Sequence, residues 1–331
     1  MAITLAESKV GMRDAVAEQV VDEFRRASLL LDSLVFDNAV AKGGSGSTLV
    51  YGYVQLLTPS TVAVRTINTE YAPGEAKRVE KTSKIVVFGG SFQVDRVLAG
   101  TSGAIDEINF QLQQKVKASA NYFHNLVING TSATSGAGFV VNTFDGLNKL
   151  LTGKETEITS IVDLSTPALI DTNYNAFLDE LDQFIGMLDG KPSMLLMNDK
   201  MLAKLRGIGR RAGYYSRVEN AFGVGVEYYN NIPLVDVGKY YNGTATVDVI
   251  PNTVASASAY GMTDIYAVNI GLDGFHGISP TGTKLVNTYL PNMQLPGAVK
   301  TGEVEMLAGV VLKNTRKAGV LRGIKIAPKT A

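Results

Sequence analysis

Between Ser102 and Gly130 the apolar positions Ile105, Ile108, Leu112, Val116, Ala120, Phe123 and Val127 recur at steps of three and four, which makes one stripe along a helix. Thr101 or Ser102 can cap its start, Asp106 and Glu107 sit at the positive end of its dipole, and Gly130 follows the last periodic residue. From Gly103 to Asn129 the rod should be about 40 Å long, where globular helices usually run about 10–14 residues. So long a helix needs another element laid along it. Its polar face, with Asp106, Glu107, Gln113 and Lys117, is left for a neighbour or a lumen, and a charge at Ile108, Leu112 or Phe123 is expected to block folding.

Before this helix, Met12, Val16, Val20, Phe24, Leu31 and Leu34 predict an amphipathic helix or broken helix, docked on its own domain or lying on a neighbour as an arm. Lys42–Thr48, KGGSGST, reads as a flexible joint. Leu49–Leu56 reads as a strand, followed by a Thr58–Ser60 turn, an extended piece from Val62 to Ile67 and an Ala72–Gly74 turn. The return segment Lys77–Val87 puts Val79, Ile85 and Val87 on one face. The result is a long hairpin between the glycine joints Gly43-Gly44 and Gly89-Gly90, with too little apolar surface to stand as a domain. A projecting hairpin of this kind lies against another molecule, and deleting Thr48–Lys84 is expected to spare the fold and stop assembly.

After the hairpin, Gly89–Arg96 reads as a short strand into the long helix, Ser132–Gly138 as a loop, and Phe144–Leu151 as a turn opening a short helix. From Thr166 the pattern becomes alternating. Ile170, Tyr174, Phe177, Leu181, Phe184, Ile185 and Leu188 give a helix with Pro167 at its start, and Ser193–Met197 a buried strand. Asn198 or Asp199 caps a further helix ended by the Gly207/Gly209 pair. Short strands follow at Val224–Tyr229, Pro233–Val237, Val247–Ile250 and Ile265–Ile270, completing a compact α+β subdomain. Thr283–Leu290, Glu303–Lys313 and Ala318–Ile326 close the chain as strands. Beyond Glu305 the cations Lys313, Arg316, Lys317, Arg322, Lys325 and Lys329 meet no acid in the sequence; the reading preferred is a strand edge kept soluble by lysine, and a weak polyanion contact is the alternative.

Composition narrows the picture. The 331 residues are 45% hydrophobic and 19% charged, enough for a sizeable core and for two domains or one domain with large insertions. Lys+Arg and Asp+Glu balance at 31 each, which argues against a dedicated nucleic-acid binder. The absence of cysteine removes disulfides, thiolate zinc sites and cysteine nucleophiles. The N-terminus lacks the charged-then-apolar plan of a signal peptide, and no run approaches the about 18 apolar residues of a membrane span, so the expectation is a soluble protein of a reducing cytoplasm.

No constellation amounts to a catalytic, cofactor or metal site. His124 sits on the long helix as a packing residue and His276 in the turn Gly274–Gly277; neither belongs to an HxxxH or HExxH pattern, and no GxSxG elbow exists. Gly43–Thr48 lacks the lysine of a phosphate loop, and Gly207–Gly213 misses the dinucleotide spacing and follows a helix. The carboxylates Asp22/Glu23 and Asp179/Glu180/Asp182 fall on exposed helix faces. The Asn129 and Asn242 sequons carry no meaning in a chain that is not secreted.

Taken in this order, the chain resembles the Hong Kong 97-type major capsid proteins of tailed bacteriophages. The resemblance rests on Phe88–Arg96 leading into Ile105–Lys115, on the Val20–Leu34 helix, and on Phe144–Leu147 and Ile232–Asp236. It implies an α+β fold with an N-terminal arm (residues 1–43), an extended hairpin loop (44–90), a peripheral domain (91–165) whose spine helix is 102–130, an axial domain (166–274), and return strands of the peripheral domain (275–331). It also implies self-assembly into pentamers and hexamers of a head enclosing double-stranded DNA, built in the host bacterial cytoplasm and resident in the virion. The partners it implies are the chain itself, scaffolding, portal and decoration proteins, DNA only by weak non-specific contact, and no membrane. Because the arm helix begins close to Met1, a scaffold is expected to be a separate protein. An encapsulin-like compartment shell is the alternative of the same fold. A soluble α+β enzyme with a carbohydrate or phosphate substrate is the alternative of another class; it would need convergent polar residues in a pocket of 166–274, and the sequence shows none.

Overall fold

The computed structural model describes residues 29–40, 49–58, 60–101, 107–132, 143–213, 216–219, 225–253, 256, 259–280 and 285–329. The start of the arm helix, the Lys42–Thr48 joint, Ser102 with Ile105 and Asp106, and most of the 132–138 loop lie outside the described residues. In chain order the elements are α1 (Leu29–Ser33), β1 (Phe36–Val40), β2 (Val50–Thr58), β3 (Lys77–Lys84), β4 (Val86–Asp95), α2 (Arg96–Thr101), α3 (Glu107–Asn129), α4 (Leu147–Leu151), β5 (Glu157–Thr159) and α5 (Pro167–Gly186). They continue with β6 (Met194–Met197), α6 (Asp199–Ala212), β7 (Ser216–Glu219), β8 (Gly225–Tyr229), β9 (Ile232–Asp236), β10 (Lys239–Tyr241), β11 (Thr246–Asp248) and β12 (Gly261–Val268). The last are β13 (Phe275–Pro280), β14 (Val286–Tyr289), β15 (Val299–Leu312) and β16 (Ala318–Ala327).

Two sheets organise the body. The seven-stranded sheet runs β5-β16-β12-β6-β9-β8-β7, and its centre is apolar at every position because both faces are covered. Alternation divides the side chains: Met194, Leu196, Tyr266 and Val268 point into one cluster, and Leu195, Met197, Ile265 and Ala267 into the other. The second cluster is roofed by α5, through Phe177, Leu181 and Phe184, and by α6, through Met201, Leu205 and Ile208. Thr166 accepts a hydrogen bond from the amide of Leu169 to cap α5, and Asn198 from that of Met201 to cap α6.

The five-stranded sheet is built on β15. Its longest partner is β4, paired from Asp95↔Val299 to Val86↔Ala308, with β14 and β13 along the other edge and β1 parallel to β13. The long helix α3 lies across β4 and β15. At its C-terminal half Phe123, Leu126, Val127 and Ile128 are buried, and Phe123 is 0% exposed. Its ring stacks on Phe88 at 5.8 Å and meets Phe144 edge-on at 6.1 Å and Phe36 at 6.4 Å. The same cluster contains residues of both sheets, so one continuous core joins them.

The structure departs from the sequence reading in several places. Thr101 ends α2, donating its hydroxyl to the Val97 carbonyl, and does not cap the long helix. The stripe on α3 is half-buried at Ile108 and Leu112, so folding rests on its Phe123 end. Gly89 and Gly90 are no hinge: they lie within β4 opposite Glu305 and Val304, and a Cβ on Gly89 would stand 1.9 Å from the Val304 carbonyl oxygen. The strand they belong to is correspondingly longer than the short one expected. Gly207 and Gly209 do not end α6, which continues to Ala212 and stops at Gly213 in the left-handed conformation (φ 74°). The 275–331 segment divides between the sheets, because β16 joins the seven-stranded one beside β12.

Phe123→Ala should lower stability by about 3–5 kcal/mol, as for buried aromatic truncations, while Leu112→Ala costs less than half as much. Urea denaturation of the two variants under identical conditions checks this order.

Candidate assembly surfaces

Chemistry of a conventional kind has little to work with here. Among the described residues no three His, Asp or Glu side chains come together as metal ligands, and no helix is long and apolar enough to cross a membrane. His276 is in strand β13 and not in a turn, fully buried, with its ring edge-on to Tyr51 at 6.1 Å. His124 is buried in α3, as expected of a packing residue, and desolvation pushes its pKa down to about 4 against the pull of a hydrogen bond with the Val237 backbone. Glu180 accepts from the Ser160 hydroxyl at 2.6 Å and Asp182 from the Tyr229 hydroxyl at 2.7 Å, so these carboxylates tie α5 to its neighbours.

The cations after Glu305 do not form a bare strand edge, because several of them are paired within the fold. Arg316 pairs with Glu155 at 2.6 Å, Lys317 with Asp273, and Arg322 with Glu157 and Asp264. Arg322 also donates to the Asn148 side chain at 2.8 Å, linking α4, β5, β12 and β16. Burial works against ionisation of Glu157, but the Gly153 amide and Arg322 outweigh it and hold its carboxyl below the usual range. Burial dominates at Asp264 and pushes its carboxyl up. Lys325 and Lys329 sit over the Tyr260 ring. The acids that balance these cations come from far back in the chain.

The hairpin is the distinctive surface. β2 and β3 pair from Val50↔Lys84 to Thr58↔Lys77 as a two-stranded ribbon. One face is fixed to the body. Tyr51, Tyr53 and Ile85 pack with Ile278 and Val311, and Lys313 lies over the Tyr51 ring at 5.5 Å. Tyr51 donates to Asp37 at 2.9 Å, Ser83 to the Val310 carbonyl at 2.8 Å and Gln55 to the Lys313 carbonyl at 3.0 Å. The inward positions of β3 are Val79, Lys81 and Ser83; Val87 belongs to the next strand and is exposed, because Ile85 interrupts the alternation.

The other face and the tip meet solvent. Val54 and Leu56 are exposed on the ribbon. Beyond Thr58 the ladder stops; 62–67 forms no strand, and the chain reverses at Thr66–Thr69, with Asn68 at φ 68°, and not at the expected 72–74 turn. Val62, Val64 and Ile67 are 97%, 101% and 89% exposed. The Arg65 guanidinium lies over the Tyr71 ring, and Ser60 donates to the Gly74 carbonyl at 3.3 Å, closing the tip at its neck. Apolar side chains this exposed on a projecting element mark a surface that another molecule covers. Deleting Thr48–Lys84 would uncover Ile278 and Val311, so the root belongs to the body and only the tip is separable.

The chain has the Hong Kong 97-type capsid fold, as its likeness to solved structures shows. The SrpI encapsulin of Synechococcus elongatus PCC 7942 superposes with a TM-score of 0.63 at 14% identity, over 100% of this chain and 99% of that one. The capsid of a native GTA particle gives 0.60 at 10% identity over 93% of each chain, and the capsid of Myoviridae phage XM1 gives 0.54 at 14% identity over 98% and 99%. At such identities the shared property is the fold. No family pattern and no curated protein sequence matches the chain.

Two outcomes follow for this surface and its buried histidine. Removing residues 62–72, so that the neck at Ser60 and Gly74 is rejoined, should leave the thermal midpoint within a few degrees and abolish large assemblies in size-exclusion chromatography. His124 stays neutral in the fold down to about pH 4 but protonates near 6.5 when unfolded, so its stabilisation is complete above 6.5 and lost as pH falls towards 4. The loss should approach about 3 kcal/mol, and His124→Gln should flatten it in urea titrations run across that range.

Proposed function

We propose that this chain is the repeating subunit of a closed shell, the major capsid protein of a tailed phage head around double-stranded DNA. The observation that carries the reading is an apolar hairpin tip, bare in the single chain, on a body that shares its fold end to end with shell proteins. In this reading residues 1–43 form an arm and the 44–90 hairpin reaches over the adjacent subunit. Residues 91–165 supply the spine of the peripheral domain, 166–274 meet their copies at pentamer and hexamer centres, and 275–331 return to complete the body.

The physics suits that role. Head-to-tail contacts between different patches close into rings and shells, and contacts that are individually modest become lasting when each subunit makes several. Balanced charge, 31 cations against 31 anions, lets subunits crowd and lets packaged DNA lie inside without tight binding. Scaffolding, portal and decoration proteins are the partners such a head takes, in the virion and during assembly in the host. The subunit acts by packing and not by catalysis.

An encapsulin-like compartment is the second reading, favoured by the end-to-end match to the SrpI encapsulin. Electron microscopy of the purified protein should find closed shells or pentamers and hexamers. A stable monomer under all assembly conditions would sink both readings. Shells from native particles that contain nuclease-protected DNA support the phage head, and shells that contain protein cargo without DNA overturn it in favour of the compartment.

A further inference from the structure

The root of the hairpin carries a feature that packing does not explain. Between the ribbon, the α4–β5 connection and the β15–β16 connection lies a cleft of about 550 Å³. Lys154, Lys313 and Arg316 line it together with Gln55 and Asn314, and Glu155 is its one lining carboxylate. Lys81, on the inward face of β3 outside the cleft lining, feels the Lys154 charge: burial, and then that charge, hold its ammonium below the usual lysine range.

None of Lys81, Lys154 and Lys313 has an ion-pair partner among the described residues. Arg316 is paired with Glu155, but both side chains are well exposed, and such a pair is weak enough to yield to a stronger anion. Like charges brought together at a partly enclosed site cost free energy, and a multivalent anion would remove that cost. Lysine ammoniums and an arginine fork, with side-chain amides beside them, are donors that match phosphate oxygens. The volume exceeds what one water or one phosphate needs and falls in the range of small-molecule sites.

We propose that this cleft is a phosphoanion site, taking a chain of two or three phosphates, either free polyphosphate or successive phosphodiesters of a nucleic acid. Its walls come from two parts of the molecule: Gln55 and Leu56 belong to the hairpin, Lys154, Lys313 and Arg316 to the body. A bound anion therefore straps the hairpin root to the body and fixes the direction in which the tip projects. The assignment stands whether the shell encloses DNA or protein.

Calorimetric titration of the full chain with tripolyphosphate, and separately with a ten-residue oligothymidylate, tests this. Tripolyphosphate should bind near one per chain and weaken steeply with salt. Lys154→Gln should weaken it by about tenfold, and Lys154→Gln with Lys313→Gln should abolish it, while the charge-matched control Lys191→Gln with Lys200→Gln changes nothing. Binding should slow amide exchange in β2 and β3. If the oligothymidylate competes at comparable concentration, the natural source is nucleic acid; if it does not, the source is free polyphosphate. Absence of binding, or binding equal in the cleft variants and the control, overturns the proposal. So does loss of assembly in the cleft variants without any phosphoanion binding, which would make the cleft a seat for carboxylates of another copy.

Discussion

Everything in this molecule hangs from the point where Phe123 is enclosed. Its ring touches β4 through Phe88, the segment before α4 through Phe144 and β1 through Phe36. The cluster around it continues without a break into the inward residues of the seven-stranded sheet. A close-packed interior transmits displacement, so the two sheets and the long helix behave as one body. The N-terminal half of α3 is only half-buried, with the Lys115 side chain lying against Gly90 of β4.

From that rigid body one element extends under different rules. The hairpin is held at its root by Tyr51, Tyr53 and Ile85, by hydrogen bonds to Asp37, Val310 and Lys313, and by the Lys313–Tyr51 contact. A two-stranded ribbon is marginal alone, and here the body's sheet supplies the missing surface. Past Thr58 no such surface remains, and apolar side chains stand in solvent. A fixed root and an uncovered tip suit an arm that must meet its target in a defined direction, since conformational freedom lost before contact need not be lost again on contact.

Electrostatics follows the same division. Cations that look unbalanced along the last strand find Glu155, Glu157, Asp264 and Asp273 across the fold. At the hairpin root Lys154 and Lys313 find no carboxylate partner among the described residues, beside the exposed Arg316–Glu155 pair. The pairs of Lys317 and Arg322 are structural; Lys154, Lys313 and Arg316 lie where hairpin and body could be coupled by a ligand.

Local patterns are strong wherever one element's own residues set its fate. The periodicity of α3, the Pro167 start of α5, the Asn198 cap of α6 and the apolar run of β6 were all legible as sequence, because helix periodicity, capping and double-sided burial leave signatures within a few residues. The order of elements carried the capsid-like fold for the same reason. Tertiary structure alone decided that Gly89 and Gly90 are locked against β15 and do not hinge, since their partners there are more than 200 residues away. It also decided that β16 crosses into the other sheet, that β1 exists beside β13, and that the root of the hairpin is core while its tip is surface. Those choices depend on which distant residue arrives to cover a face or pair an edge, and a sequence read in windows contains no record of it.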